Sequence, residues 1–135
     1  MNIFKLEDSI FIKIYYEDTD AGGVMYHSKY LNYAERGRTE LLRKKKIQQS
    51  KLFLNNGIRF VVKELTVSYI KPASLDDRLL LDTKVSFLNK AKIIFNQIFY
   101  NKKKKICKIE AMVCCINFKG KVVRMPNDLY YKIIN

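Results

Sequence analysis

Two carboxylates, two glycines and the only histidine of the chain crowd into one segment, Asp18 to His27. The stretch reads Tyr15-Tyr16-Glu17-Asp18-Thr19-Asp20-Ala21-Gly22-Gly23-Val24-Met25-Tyr26-His27-Ser28. An apolar, aromatic run feeds into it. Acidic residues and glycines make a turn, and a helical pattern leaves it near His27 and Ser28. A carboxylate is thereby set beside a helix N-terminus, whose free N–H groups favour negative charge. Such a carboxylate can act as general base or nucleophile. The N–H groups can hold an oxyanion, and one such donor contributes roughly 3–4 kcal/mol to lowering a barrier. These parts suit acyl transfer or ester hydrolysis. They also suit a plain turn, because Asp and Gly are ordinary turn residues.

Rival chemistries fit less well. With Asp18 as position 1 of a calcium loop, Asp20 takes position 3 and Gly23 position 6. Position 12, where a bidentate Glu is required, is Lys29. Zinc lacks ligands, since His27 stands alone and the cysteines lie in a distant run. No phosphate-binding glycine motif is present, and Ser28 lacks the nucleophile-elbow pattern. The site is expected to hold no metal.

The elements that must position this turn follow from periodicity. Ser9 to Tyr16 alternates and reads as a strand. From Lys29 to about Lys46 the spacing is helical, with Tyr30, Ala34, Gly37 and Leu41 on one stripe, widened by Leu31 and Leu42. A glycine in a helix interior costs about 1 kcal/mol relative to alanine, so Gly37 implies close contact with something flat. Gln49 to Asn55 predicts a short helix closed by Asn56-Gly57. Strands follow. Ile58, Phe60 and Val62 alternate in one phase and Leu65, Val67 and Tyr69 in the other, which predicts a bulge near Lys63-Glu64. Leu79 to Leu88, with Leu79, Leu81, Val85 and Phe87 on one side, Ile93 to Tyr100 and Ile106 to Phe118 complete the set. Asn89-Lys90-Ala91, the four lysines Lys102 to Lys105, and Lys119-Gly120-Lys121 read as turns. Pro126 opens a last helix to about Ile134. The order predicts an α+β domain over residues 1–135: an antiparallel sheet and one long helix. One helix covers one face of a sheet, yet the strands are apolar in both phases, so at least a dimer is expected.

Composition bounds the setting. Nearly half of the 135 residues are hydrophobic (48%), enough for a core. Met1 to Glu7 carries no leader pattern, and no apolar run approaches the roughly 20 residues that span a bilayer. Cys107, Cys114 and Cys115 are odd in number and lie in one apolar region, which predicts free buried thiols in a reducing compartment. A cytoplasmic protein without stable membrane insertion is expected. The net charge of +13 suggests an anionic partner. No RNA-recognition or helix-turn-helix pattern accompanies it, so nucleic acid is not the expected partner.

The run Tyr16 to His27, followed by Tyr30-Leu31 and Glu35-Arg36-Gly37-Arg38-Thr39-Glu40, closely resembles the hotdog-fold acyl-CoA thioesterases. The match is to their 4-hydroxybenzoyl-CoA thioesterase branch, and within it to the YbgC type associated with the Tol–Pal envelope system. Phe60-Val61-Val62, Lys71-Pro72-Ala73, Leu75-Asp76-Asp77 and the Cys115 strand also resemble that type. Met25 and Gly37 stand where relatives often carry Val and Ala. The resemblance implies a hotdog fold, a sheet wrapped around one central helix, in homodimers or homotetramers. It implies hydrolysis of acyl-CoA thioesters to free acid and CoA, with no cofactor beyond the CoA of the substrate. Asp20 would be the catalytic carboxylate, attacking the carbonyl or activating water. The His27 N–H would serve the oxyanion and its side chain would orient substrate or water. Tyr16, Asp18, Gly23 and Val24 would line the site. Lys71, Lys90, Lys121 and Arg124 are candidates for the CoA phosphates, and because the family's nucleotide lies near a subunit edge, several such ligands would come from a neighbouring chain. Acyl carrier protein is a second candidate partner, and a non-catalytic scaffold for that carrier or for envelope proteins is the alternative function.

Overall fold

A computed structural model describes residues 6–135. Met1 to Lys5, on which the expectation of no leader falls, lie outside the described residues. In chain order the elements are β1 (Glu7–Lys13), a 3-10 turn (Tyr16–Asp18), α1 (Lys29–Lys44), α2 (Gln49–Asn56), β2 (Arg59–Tyr69), β3 (Arg78–Leu88), β4 (Ile93–Asn101), β5 (Lys104–Ile116), β6 (Val122–Val123) and α3 (Asn127–Ile134). The strands form a six-stranded sheet in the order β1-β3-β4-β5-β2, with β6 paired to β5. All pairings are antiparallel. This is the α+β class that the element order predicts.

α1 lies on the sheet through the stripe read from the sequence. Tyr30, Ala34, Gly37, Leu41 and Leu42 are buried on it. Gly37 is the point of closest approach: a Cβ built there would stand 2.7 Å from Thr83 Oγ1 and 2.8 Å from Leu81 Cδ2. Arg38, the residue after Gly37, is buried too. Its Nη1 donates to Gln97 Oε1 at 2.9 Å, and Gln97 Nε2 donates to the Ala34 carbonyl and to Thr83 Oγ1. This polar belt lies between two apolar clusters. One gathers Leu41, Val85, Phe95 and Ala111, the other Ala34, Leu81, Phe99 and Ile109. Burial pushes the Arg38 guanidinium below its ordinary value, with Glu35 opposing. Its hydrogen bond to Gln97 meets the requirement that a buried polar group keep a partner.

Three strands depart from simple alternation; in β5 the extra residue is Ile106, between the partners of Phe99 and Tyr100. In β2 the register shifts between Val62 and Glu64, so Lys63 is the extra residue and the predicted bulge is present. In β3 the register shifts between Val85 and Phe87. That bulge reverses the phase: Phe87, expected to share the inward side with Val85, is 41% exposed, and Leu88 is buried instead at 7%. β1 ends at Lys13, short of the predicted Tyr16. The Tyr15 N–H leaves the ladder and donates to the Asp18 carboxylate at 3.0 Å, which starts the 3-10 turn.

β2 is an edge of the sheet and carries exposed Val62, Leu65 and Tyr69. Cys107, Cys114 and Cys115 are free and buried. Among the described residues no helix is long and apolar enough to cross a membrane.

Candidate active site

The segment between β1 and α1 is a narrow double-backed loop. Thr19 and Met25 form an isolated antiparallel bridge, and the Asp20 N–H donates to the Val24 carbonyl at 2.9 Å. Gly23 closes the reversal at φ +80, a conformation that costs an L side chain roughly 1–2 kcal/mol. Its N–H donates to the Asp20 carbonyl at 3.0 Å. Asp20 itself is exposed, and its Oδ1 accepts the Gly22 N–H at 2.8 Å. Those bonds fix the side chain at the loop tip and leave Oδ2 open to solvent.

The returning arm runs into α1. The Met25 N–H donates to the Ala73 carbonyl at 2.7 Å and the Tyr26 N–H to the Asp18 carbonyl at 2.8 Å. The Lys29 N–H turns back to the Tyr26 carbonyl at 2.9 Å. Among the described residues the N–H groups of His27 and Ser28 have no hydrogen-bond partner. They are the orphan donors that every helix start leaves. The His27 ring is exposed and packs against Tyr26 at 4.3 Å between centroids and edge-on to Tyr69 at 6.5 Å.

Asp18, read as a site-shaping residue, is the buried anchor of the loop at 2% exposure. Its Oδ2 accepts both the Tyr15 N–H and the Tyr33 hydroxyl, the latter at 2.8 Å. Lys29 Nζ stands 3.9 Å from Oδ1. Burial, and then the bond and charge of Asp18, push the Tyr33 hydroxyl up to about 12. Tyr16 lies in the 3-10 turn and is exposed, and Val24 bridges to Ser74. Thus Tyr16, Asp18, Asp20, Gly23, Val24 and His27 all belong to one loop.

Of the basic candidates, only Lys71 shares this end of the sheet. It follows β2 and precedes Ala73, the partner of Met25. Lys90 lies in the β3–β4 turn, where its Nζ bonds the side chain of Asn127 and its carbonyl accepts the Met125 N–H. Lys121 and Arg124 flank β6. Asp20 adjoins the Arg78 end of β3, and Lys90 follows the Leu88 end, so roughly 35 Å of extended strand intervenes. Lys90, Lys121 and Arg124 therefore do not join Asp20 within one chain.

Two residues at the site have no signal in the linear pattern. Tyr33 is off the buried stripe of α1, yet it holds Asp18. Tyr69, the last residue of β2, donates its hydroxyl to the His27 carbonyl at 2.8 Å. Only the register of the folded sheet brings it there. Tyr30 is buried below them, edge-on to Tyr69 and Phe99. Burial raises its hydroxyl, and a hydrogen bond with the Ala73 backbone opposes that rise. Among the described residues no group of three or more His, Cys, Asp and Glu side chains could hold a metal ion.

Residues 15–133 match the family model described as the Thioesterase-like superfamily. The chain is 40% identical over 119 residues to the acyl-CoA thioesterase YbgC of Haemophilus influenzae, covering 87% of this chain and 88% of that one. The fold matches a probable thioesterase from Bartonella henselae at a TM-score of 0.83 and 30% identity, covering 89% of this chain and 99% of that one. It also matches a 4-hydroxybenzoyl CoA thioesterase mutant complexed with 4-hydroxybenzoyl CoA, at a TM-score of 0.88 and 12% identity over 94% of this chain and 98% of that one. The last shows the fold alone, the hotdog sheet around a long helix that the resemblance implies. With a family model spanning nearly its whole length and a close curated relative, this chain belongs to the thioesterase-like superfamily.

Proposed function

We propose that the chain hydrolyses acyl-CoA thioesters to a free acid and CoA, with Asp20 as the catalytic carboxylate. One observation carries this reading. The Asp20 carboxylate is held by the Gly22 N–H at the tip of a loop whose returning arm delivers the open His27 and Ser28 N–H groups at the start of α1. A thioester carbonyl in the space between meets a carboxylate on one side and hydrogen-bond donors on the other. Asp20 acts either by attacking the carbonyl carbon, the anhydride so formed then being hydrolysed by water to the free acid, or by taking a proton from a water that attacks the carbonyl itself. Negative charge gathers on the carbonyl oxygen in both routes, where the N–H groups and the helix dipole offset it. The thiolate of CoA then leaves. The His27 ring, exposed at the same point, orients substrate or water. The printed activity of the Haemophilus relative, an acyl-CoA thioesterase, supports this assignment. All the chemistry comes from the protein and the substrate, and CoA enters only as part of that substrate.

The site is open at the surface, and β2 carries an exposed apolar edge beside it. Edge strands of this length are normally paired or covered. We read the active form as a homodimer or homotetramer that closes over this edge. Three free buried thiols accord with a cytoplasmic setting. Acyl carrier protein, an acidic carrier of the same thioester, is a second partner that a surface of net charge +13 favours.

The test is release of CoA thiol from a panel of acyl-CoAs by the wild type and Asp20→Asn. Loss of a general base or nucleophile lowers kcat by about a hundredfold or more. Equal rates would remove Asp20 from the mechanism. Binding of an acyl carrier with no turnover of any thioester would favour the scaffold reading instead.

A further inference from the structure

Two long stretches of the chain carry no carboxylate. Between Glu40 and Glu64 stand seven cations, Lys51 and Arg59 among them, and between Glu110 and Asp128 stand three, Lys119, Lys121 and Arg124. The fold brings the two stretches together. β2 opens beside the end of β5 and β6 returns along the other side of it, so Arg59 faces Ile116 and Ile116 faces Val122. In the adjoining row Phe60, Cys115 and Val123 belong to the core or pack against it. Side chains alternate across a sheet, so Arg59, Ile116 and Val122 point the other way. Two strand spacings, roughly 10 Å, separate Arg59 from Val122. α2 joins this surface from the side. Arg59 lies over the Phe53 ring at 3.6 Å, Leu54 and Arg59 line one hollow, and a Cβ on Gly57 would meet Phe118 at 3.7 Å.

Apolar side chains stand out of the same surface. Leu54 is 80% exposed, Phe118 72% and Val122 69%, and with Tyr16 they are the most exposed large hydrophobics among the described residues. Phe118 and Val122 flank the β5–β6 turn, where Lys119 lies over the Phe118 ring at 5.8 Å and Lys121 precedes Val122. The turn is braced. Asn117 Oδ1 accepts the N–H groups of Lys119 and Lys121 at 2.9 and 3.0 Å, and Gly120 takes φ +81. Phe118 is thus held out in solvent by a fixed turn. Among the described residues no ion pair engages Lys51, Arg59, Lys119, Lys121 or Arg124.

We infer that this end of the molecule docks on the surface of an anionic lipid bilayer. Cations around separate apolar tips match that surface. Lysine and arginine meet the headgroup phosphates, and Phe118, Val122 and Leu54 enter the boundary beneath them. Lysine ammoniums on flexible stems suit mobile headgroups, because they act as point charges without a rigid frame. A second copy of the chain matches less well: a two-fold contact would set these carboxylate-free segments against each other, like charge on like charge. The contact is peripheral, made by the side chains of one turn and one short helix. It also leaves the Asp20 loop in water. Tyr69 holds His27 at one end of β2 and Arg59 begins the other, with roughly 33 Å of strand between them. Docking and turnover are therefore separable, and the inference stands apart from the hydrolase reading.

The chain contains no tryptophan, so Phe118→Trp installs a single reporter at the turn. Its emission shifts to the blue with vesicles of phosphatidylglycerol and phosphatidylcholine in equal parts, and stays put with phosphatidylcholine alone. Co-sedimentation with the same vesicles then compares the wild type with two paired variants. Phe118→Ser with Val122→Ser removes two apolar tips, and Lys51→Gln with Lys119→Gln removes two cations. Each pair weakens vesicle binding about tenfold. Added salt weakens the wild type more steeply than the lysine variant. In vesicle-free buffer both variants keep the wild-type Tm and the wild-type rate on a short-chain acyl-CoA. An unchanged emission, or equal vesicle binding by all three proteins, overturns the proposal. So does a loss confined to the lysine pair, which assigns the surface to an acidic protein or a nucleic acid. A lower sedimenting mass for the Phe118→Ser, Val122→Ser variant also overturns it, because a neighbouring copy then covers those residues.

Discussion

The hydroxyl of Tyr69 donates to the carbonyl of His27 at 2.8 Å, so the end of the edge strand β2 holds the residue that opens α1. The His27 carbonyl shares a peptide plane with the Ser28 N–H, so that N–H cannot turn without breaking the bond. Tyr69→Phe keeps the ring, with its edge contacts to Tyr30 and His27, and removes only the hydroxyl. One neutral hydrogen bond contributes about 1 kcal/mol. The expected outcome is a fall of about fivefold in kcat with KM for the acyl-CoA nearly unchanged. A drop in KM affinity with kcat held would assign Tyr69 to substrate contact instead.

Asp18 and Tyr33 make a pH-dependent pair. Burial and Asp18 raise the Tyr33 hydroxyl from 10.0 to about 12 in the folded chain. The folded state keeps this proton where the unfolded state has lost it. The contribution to stability is therefore complete below pH 10 and is lost as pH rises toward about 12. Denaturant midpoints measured from pH 9 to 11.5 should fall more steeply for the wild type than for Tyr33→Phe. Asp18→Asn should bring the Tyr33 absorbance transition back toward 10. A wild-type slope no steeper than that of Tyr33→Phe would contradict the pairing.

The cysteines offer a check on the core. Burial pushes the Cys107 thiol up to about 12, and burial with Cys114 beside it pushes Cys115 to about 11. Thiolate is the reactive form. In native protein at pH 8 an aromatic disulfide reagent should therefore label Cys107 and Cys115 only at the rate of unfolding, and rapidly in denaturant. Fast native labelling of Cys107 would mean that the sheet under Tyr30 opens.

Local rules carried much of the fold. The stripe of α1, the bulge at Lys63, and the turns at Asn89 and at Lys119-Gly120-Lys121 each depend on residues close in the chain, where propensity and alternation act directly. What escaped the sequence depends on register. The bulge after Val85 moved Phe87 outward, because alternation cannot foresee an inserted residue. The burial of Arg38 depends on Gln97, 59 residues away, which the fold brings to face it. The Asp20–His27 loop was legible because both its parts lie in one short segment. The roles of Tyr33 and Tyr69 were not. Lys90 stands the length of β3 from Asp20 within one chain, so the expectation for it concerns the site of a neighbouring chain.

Gly37 provides the sharpest test of how α1 sits. By helix propensity alone, Gly37→Ala should stabilise the chain by about 1 kcal/mol. The contacts oppose this. A Cβ would stand 2.7 Å from Thr83 Oγ1, 2.8 Å from Leu81 Cδ2 and 3.0 Å from Gln97 Nε2. Thr83 and Gln97 are bonded to each other at 2.9 Å, and Gln97 also holds Arg38, so they cannot shift separately. Overpacking in such a core costs roughly 1–3 kcal/mol, which equals or exceeds the propensity gain. The expected outcome is a net loss of about 1 kcal/mol in denaturant unfolding. Pairing the change with Thr83→Ala deletes the hydroxyl that the new methyl meets first. That double variant should lose less than the sum of its two single changes, by about 1 kcal/mol in the mutant cycle. Simple additivity would mean that α1 stands further from the sheet than the Gly37–Thr83 approach requires.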